Sequence, residues 1–133
     1  MILIDTNILI DIAENDPRWA AWSQAQLEAA ALRDRLAINE IVYAELSAGY
    51  ESRAGVENFL AAAGLEIAAI PRDALFLAGH VFRRYRAEGG ARTGVLSDFF
   101  IGAHAFVAEA TLLTRDPRPY RKYFPRLDVI APD

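Results

Sequence analysis

The sequence predicts an α/β fold in three layers, with a central parallel sheet of four to five strands and helices on both faces. Three observations carry that expectation. Short apolar runs alternate with stretches of helical spacing along the whole chain. Two of those runs end in a carboxylate, Ile2-Leu3-Ile4 before Asp5 and Leu112-Leu113-Thr114 shortly before Asp116, and ligands gather outside the carboxyl ends of parallel strands. The 133 residues are 53% hydrophobic, enough for one core, and no linker, repeat or low-complexity tract divides them, so residues 1–133 are expected to form one domain.

The elements follow in order. Residues 1–5 read as the first strand, and a short helix runs from about Asn7 to Ala13. Asp16-Pro17 is a helix start, Asp as cap and Pro in the first turn, and the helix behind it carries Trp19, Trp22 and Leu27 to about residue 33. Leu36-Ala37-Ile38 is the second strand. Asn39 caps a helix with Glu40 in its first turn, ending near Gly49. Another helix spans about Ala54 to Ala63 and stops at Gly64, before a third strand over residues 65–70. Pro71 opens the clearest helix, with Ala74, Leu75, Ala78, Val81, Phe82 and Tyr85 on one face, and Gly89-Gly90 ends it. A flexible loop over 89–96 carries Arg92. Ser97 caps the next helix, whose core face is read as Phe100, Ile101, His104 and Val107. Thr111 to Thr114 is the fourth strand, Asp116-Pro117 turns into a short helix with Tyr120 and Tyr123, and Leu127 to Ile130 is a last edge strand.

Composition narrows the function. Without cysteine there is no disulfide framework, thiolate zinc site or cysteine nucleophile, which is consistent with a cytoplasmic location. The N-terminal apolar run is too short for a signal peptide, and no stretch approaches a membrane span. The net charge of −4 alone argues against a nucleic-acid binder, but its distribution does not. Residues 1–70 hold 4 basic and 11 acidic residues; residues 71–133 hold 10 basic and 7 acidic. Thirteen of the 14 basic residues are arginine, the better fork for phosphate oxygens. Solvated helix faces account for such arginines equally well.

Asp5, Glu45, Asp98 and Asp116 are the candidate catalytic and metal-binding residues. Asp5 lies where a strand gives way to a helix, a place that also suits a plain N-cap. Glu45 has Ile41, Val42, Ala48 and Gly49 as its helical neighbours, so it is expected to be desolvated and to need a cation, either a metal or an arginine. Asp98 sits in a helix first turn above Gly102 and Ala105, small residues that permit close approach; a surface acid compensating the helix dipole fits there too. Asp116 precedes Pro117, as a turn aspartate often does, and is expected to be the outermost acid. Four such charges near one another require cations or shared protons. An all-oxygen set suits Mg²⁺ or Mn²⁺, and neither His80 nor His104 has zinc spacing. His104 reads as a satisfied core histidine and Asp11 as a surface acid. Asn7 and Thr114 are accessory polar positions, and Arg92, Arg115 and Arg118 are candidates for holding flanking phosphates.

Four stretches in register resemble the PIN-domain ribonucleases, especially the VapC-type toxins of bacterial toxin–antitoxin pairs. They are Ile2-Leu3-Ile4-Asp5-Thr6-Asn7-Ile8-Leu9-Ile10-Asp11, Asn39-Glu40-Ile41-Val42-Tyr43-Ala44-Glu45-Leu46, Leu96-Ser97-Asp98-Phe99-Phe100-Ile101-Gly102-Ala103-His104-Ala105, and Leu112-Leu113-Thr114-Arg115-Asp116 before Tyr120-Arg121-Lys122-Tyr123-Phe124-Pro125. The resemblance covers the whole chain. It implies metal-dependent cleavage of single-stranded RNA, a VapB-like antitoxin partner and homodimerisation. By position Asp5, Glu45, Asp98 and Asp116 match the family's acidic quartet, and Asn7 and Thr114 its accessory positions. The Ser97-Asp98-Phe99-Phe100 run departs from the commoner Asp-Ala pairing, a change expected to affect packing rather than ligation.

Two other readings stay open. A catalytically inactive PIN-like interaction module would use the acids to bind cations or a basic peptide. An aspartyl-phosphate phosphatase would want an acid two residues after the nucleophile, where this chain has Asn7, and a lysine ahead of its last acids, where the only lysine is Lys122.

Overall fold

The computed structural model describes residues 1–91 and 96–133. Five strands form one parallel sheet: β1 (Ile2–Ile4), β2 (Leu36–Ile38), β3 (Leu65–Ile67), β4 (Thr111–Leu113) and β5 (Val129–Ile130), in spatial order β3-β2-β1-β4-β5. Among the described residues seven helices connect and cover them in a three-layer α/β/α arrangement: α1 (Thr6–Ala13), α2 (Ala20–Ala31), α3 (Glu40–Ser47), α4 (Arg53–Ala63), α5 (Arg72–Ala87), α6 (Leu96–Val107) and α7 (Arg118–Tyr123). The expected fold class and strand positions hold, with β3 and β5 shorter than read from sequence.

The topology places the site. From β1 the chain builds outward through β2 to β3 on one side, then returns to lay β4 and β5 on the other. Strand order therefore reverses between β1 and β4, which pair with Leu3 beside Leu112 and Ile4 beside Leu113. Their carboxyl ends splay into Asp5-Thr6-Asn7 and Thr114-Arg115-Asp116 at the switch point of the sheet. Every residue of β1 and β2 is buried, as a parallel strand covered on both faces requires, whereas the edge strand β3 buries only Leu65.

Helix ends follow the local chemistry, with informative exceptions. Asn39 caps α3 by accepting from the Ile41 and Val42 amides, and Gly64 ends α4 in the left-handed conformation at φ 69°. Asp16 accepts from the Arg18 and Trp19 amides, but this closes a turn, and α2 begins only at Ala20. Ser97 lies inside α6 instead of capping it. On α5 the core stripe is Ala74, Ala78 and Val81, while Leu75, expected to face inward, is 42% exposed. In α6 the most buried aromatic is Phe99, not Phe100, because Ile101 to Ala105 are all buried and the helix is wrapped on most sides.

Phe99 meets the rings of Phe82, Tyr85 and Tyr123 at centroid distances of 5.0–6.4 Å, joining α5, α6 and α7. One turn along α6, Gly102 lets the rings of Phe124 and Tyr120 lie against the helix backbone: a Cβ there would come within 2.5 Å of Phe124. Among the described residues no helix is long and apolar enough to cross a membrane.

Gly102→Ala should destabilise the protein by about 1–3 kcal/mol, because the buried Phe124 ring has nowhere to move. Gly79→Ala, on an open helical position with nothing within 4 Å, should stabilise it by up to about 1 kcal/mol. Urea unfolding of the two variants measures both, and equal signs would contradict this account of the α6–α7 contact.

Candidate metal centre

Asp5 does two jobs with its two oxygens. As N-cap of α1 its backbone is extended (φ −71°, ψ 150°), and Oδ1 accepts from the Thr6 amide at 2.7 Å. Oδ2 accepts from the Thr114 hydroxyl and the Tyr120 hydroxyl, both at 2.8 Å, with the Asn7 amide at 3.5 Å. The cap and the site carboxylate are thus one side chain, only 5% exposed. Burial raises its pKa despite the donors from Thr114, Tyr120 and Thr6, and the Glu45 charge adds to the rise.

Asn7 and Thr114 join the two strand ends. Asn7 Nδ2 lies 3.3 Å from Thr114 Oγ1, and its Oδ1 accepts from the Arg115 amide at 3.1 Å. Thr114 Oγ1 in turn accepts from the Asp116 amide at 3.1 Å.

Asp98 approaches the same point from α6. The Tyr120 hydroxyl, which donates to Asp5, lies 3.4 Å from Asp98 Oδ1. Burial, then the charges of Asp5 and Glu45, push Asp98 up to about 7; the Tyr120 contact pulls the other way, and Asp116 adds a further rise. Tyr120 is 1% exposed, and burial beside Asp5 and Asp98 lifts its pKa well above the ordinary value, so it remains a hydrogen-bond donor. Tyr120 was not among the site residues expected from sequence. A tyrosine in the helix that follows Asp116, three residues before a second core aromatic, reads only as packing; the signal would have been a phenol that, once buried, must find an acceptor.

Glu45 differs from expectation. It is exposed and, among the described residues, has no arginine partner and accepts one hydrogen bond, from Thr6 Oγ1 at 2.7 Å. Exposed Ala48 and Gly49 leave that side of α3 open to solvent, so Glu45 stands on the rim and, rather than Asp116, is the outermost acid. Asp116 is held by a two-pronged contact from Arg118, Nε to Oδ1 at 2.7 Å and an Nη to Oδ2 at 2.8 Å, which lowers its pKa.

Two more expectations change together. Asp11 is not a surface acid: it is buried, accepts from Ser23 at 2.8 Å, and takes both Nε and Nη2 of Arg115 at 2.8 and 3.0 Å. Arg115, a candidate for holding phosphate, is therefore committed to Asp11 and braces the loop whose amide holds Asn7. Arg118 is engaged with Asp116 but is 85% exposed and free to move. Arg92 lies outside the described residues. His104 is the core histidine expected: Asn39 Nδ2 lies 3.1 Å from its Nδ1, and burial lowers its pKa, so the ring is neutral with Nδ1 as acceptor.

Among the described residues no three acids or histidines are drawn tightly enough together to enclose an ion. The acids share a field instead, since Asp5, Glu45 and Asp116 all raise Asp98. Hard oxygen donors short of positive charge are the chemistry that suits Mg²⁺ or Mn²⁺.

The chain belongs to the PIN domain family, whose model matches residues 2–125. Its fold is similar to a chain in the crystal structure of VapBC2 from Rickettsia felis bound to a DNA fragment from their promoter, with TM-score 0.75, 25% identity and 100% of both chains covered. It is also similar to chains in VapBC-1 from nontypeable Haemophilus influenzae (TM-score 0.70, 21% identity, 98% of each chain covered) and FitAcB from Neisseria gonorrhoeae (0.67, 20%, 98% of this chain and 96% of that one). No curated protein matches the chain.

Because folded Asp98 titrates near 7 and an ordinary aspartate at 3.8, the folded chain holds a proton across that window that the unfolded chain has released. Stability of the metal-free protein should therefore fall as pH rises from 3.8 towards 7, with Asp5 acting in the same direction. Thermal unfolding in EDTA should show a shallower decline for Asp98→Asn; parallel curves would assign the effect to another group. Tyr120→Phe should move the Asp98 titration further up, because a contact that favours its charged form is gone. Carbon-detected carboxyl NMR reads that shift, and a downward movement would contradict the geometry.

Proposed function

We propose that this chain is a metal-dependent endoribonuclease that cleaves single-stranded RNA, acting in the cytoplasm as the toxin of a toxin–antitoxin pair. The observation that carries the reading is the meeting of Asp5 and Asp98 at the Tyr120 hydroxyl, with Glu45 bonded to Thr6 beside Asp5, at the switch point of the sheet. So much negative charge at one strand edge favours a divalent cation. Family membership and the toxin–antitoxin complexes among similar structures support the same reading.

In this proposal Asp5, Glu45 and Asp98 would draw together to hold Mg²⁺ or Mn²⁺, with Asp116 assisting. When bound, the ion would supply Lewis acidity and would make a water more acidic. The chain's own residues do the rest. Thr114, Tyr120 and the Thr6 amide fix the rotamer of Asp5. Asn7 keeps the two strand ends together. Neither histidine is read as the base, since His104 is tied to Asn39 and His80 packs at a tilt on Phe76 at 4.3 Å. Proton transfer is left to carboxylates and water. Residues 1–133 act as one nuclease domain, and the partners are a VapB-like antitoxin and a second copy of the chain.

Purified, antitoxin-free protein should cleave a labelled single-stranded RNA with Mg²⁺ or Mn²⁺ and not in EDTA. Asp98→Asn, folded by circular dichroism, should lose at least about 100-fold in rate. Equal cleavage by wild type and variant would remove Asp98 from the site. Metal binding without cleavage across a broad RNA panel would favour an inactive interaction module.

A further inference from the structure

Beside the acidic site lies a concavity of about 430 Å³ with the opposite charge. Arg18, Arg115, Arg118 and Arg121 line it together with Trp19 and Asp116, the last being shared with the acidic site. Asp133 is the only other acid in its lining, so four guanidiniums face two carboxylates. Three segments build it: the turn before α2 supplies Arg18 and Trp19, α7 with the loop before it supplies Arg115 to Arg121, and the stretch after β5 supplies Pro132 and Asp133. The first 70 residues contain only four arginines, and one of them, Arg18, stands here.

The four arginines have different duties. Arg115 is locked on Asp11, and its Cζ lies 5.5 Å from the Trp19 ring centroid. Arg18 lies over the same indole at 5.0 Å, and Trp22 meets it edge-on at 5.9 Å. Trp19 is thereby a fixed wall with cations around it. Among the described residues Arg18 and Arg121 form no ion pair, and both are exposed. Arg118 rests on Asp116 in an exposed contact, the kind worth little net energy, so a phosphate can take its guanidinium at small cost.

We infer that this concavity is a strand-binding groove, in which Arg18, Arg118 and Arg121 hold successive phosphates of the single-stranded RNA on one side of the cut. The inference rests on the nuclease reading for its substrate class, but concerns residues outside the acidic quartet. A groove with mobile guanidiniums along a rigid aromatic wall reads backbone and stacking, not base edges. It holds the strand whatever its sequence, and Asp116 connects it to the acids. When the strand engages Arg118, Asp116 is released from its guanidinium clamp. Substrate binding and exposure of the fourth acid are then one event.

The test uses the full chain in EDTA, where turnover does not interfere, and a labelled single-stranded oligoribonucleotide. Binding is read by anisotropy over a salt series and by intrinsic fluorescence, since Trp19 and Trp22 are the only tryptophans. Arg18→Ala combined with Arg121→Ala should weaken binding about tenfold and make the slope of log K against log salt shallower by about 1.4, near 0.7 per lost phosphate contact. Arg33→Ala with Arg72→Ala, on exposed positions outside the groove, should change neither. RNA should alter wild-type tryptophan fluorescence. An unchanged slope in the groove variant, equal weakening by the control pair, or no RNA binding at all would overturn the groove. So would an acidic peptide that displaces RNA from wild type and loses its own binding in the groove variant more than RNA does. Wild type that binds RNA through the groove yet cuts none with any metal would sink the nuclease reading and leave the groove standing.

Discussion

A carboxylate buried at the point where strand order reverses is the constraint to which most of this molecule answers. Asp5 is almost wholly removed from water, and a lone charge there would be costly. It is tolerated because donors reach it from three elements: the Thr6 amide of its own helix, Thr114 at the end of β4, and Tyr120 in α7. Each donor requires part of the fold. Thr114 arrives because β4 pairs in register with β1. Tyr120 arrives because Gly102 lets α7 and Phe124 close on α6. The parallel sheet, the small residue in α6 and the aromatic layer of Phe99, Tyr85 and Tyr123 can all be understood as what holds three donors around one acid.

The acids fall into an inner and an outer pair. Asp5 and Asp98 are linked through one phenol, and both are raised towards the neutral form. Glu45 and Asp116 are on the rim, one open to solvent and the other charged beneath Arg118. The inner pair has a scaffold independent of any ion; the outer pair is the adjustable part.

Much of this was legible in the residues. The alternation of apolar runs and helical spacing placed all five strands, and Asn39 and Gly64 marked helix ends because capping is local chemistry. Four acids could be singled out as candidates, but not their electrostatics. Glu45 looked desolvated because its helical neighbours are apolar; that argument counts residues on one helix and cannot see that Ala48 and Gly49 are exposed. Asp11 looked like a surface acid because its partner, Arg115, is 104 residues away in sequence. Leu75 was assigned inward by spacing alone, although alanines at 74 and 78 already complete a face that sits close to its neighbour. What failed were properties set by a second element, and Tyr120, whose role exists only where three elements meet, was missed for the same reason.

The arginines show how burial sorts one residue type into separate functions. Arg115, fixed by the buried Asp11 and set against Trp19, has become part of the framework and cannot follow a ligand without uncovering a charge in the core. Arg118 makes a contact of the same geometry with Asp116, yet its exposure leaves water ready to replace that contact. The distances are nearly equal, 2.8 and 2.7 Å, so distance does not separate the structural arginine from the exchangeable one. The partner's solvation does. An ion pair closed to water on one side holds a shape, while one open to water stores a cation beside the site, ready for the next negative charge to arrive.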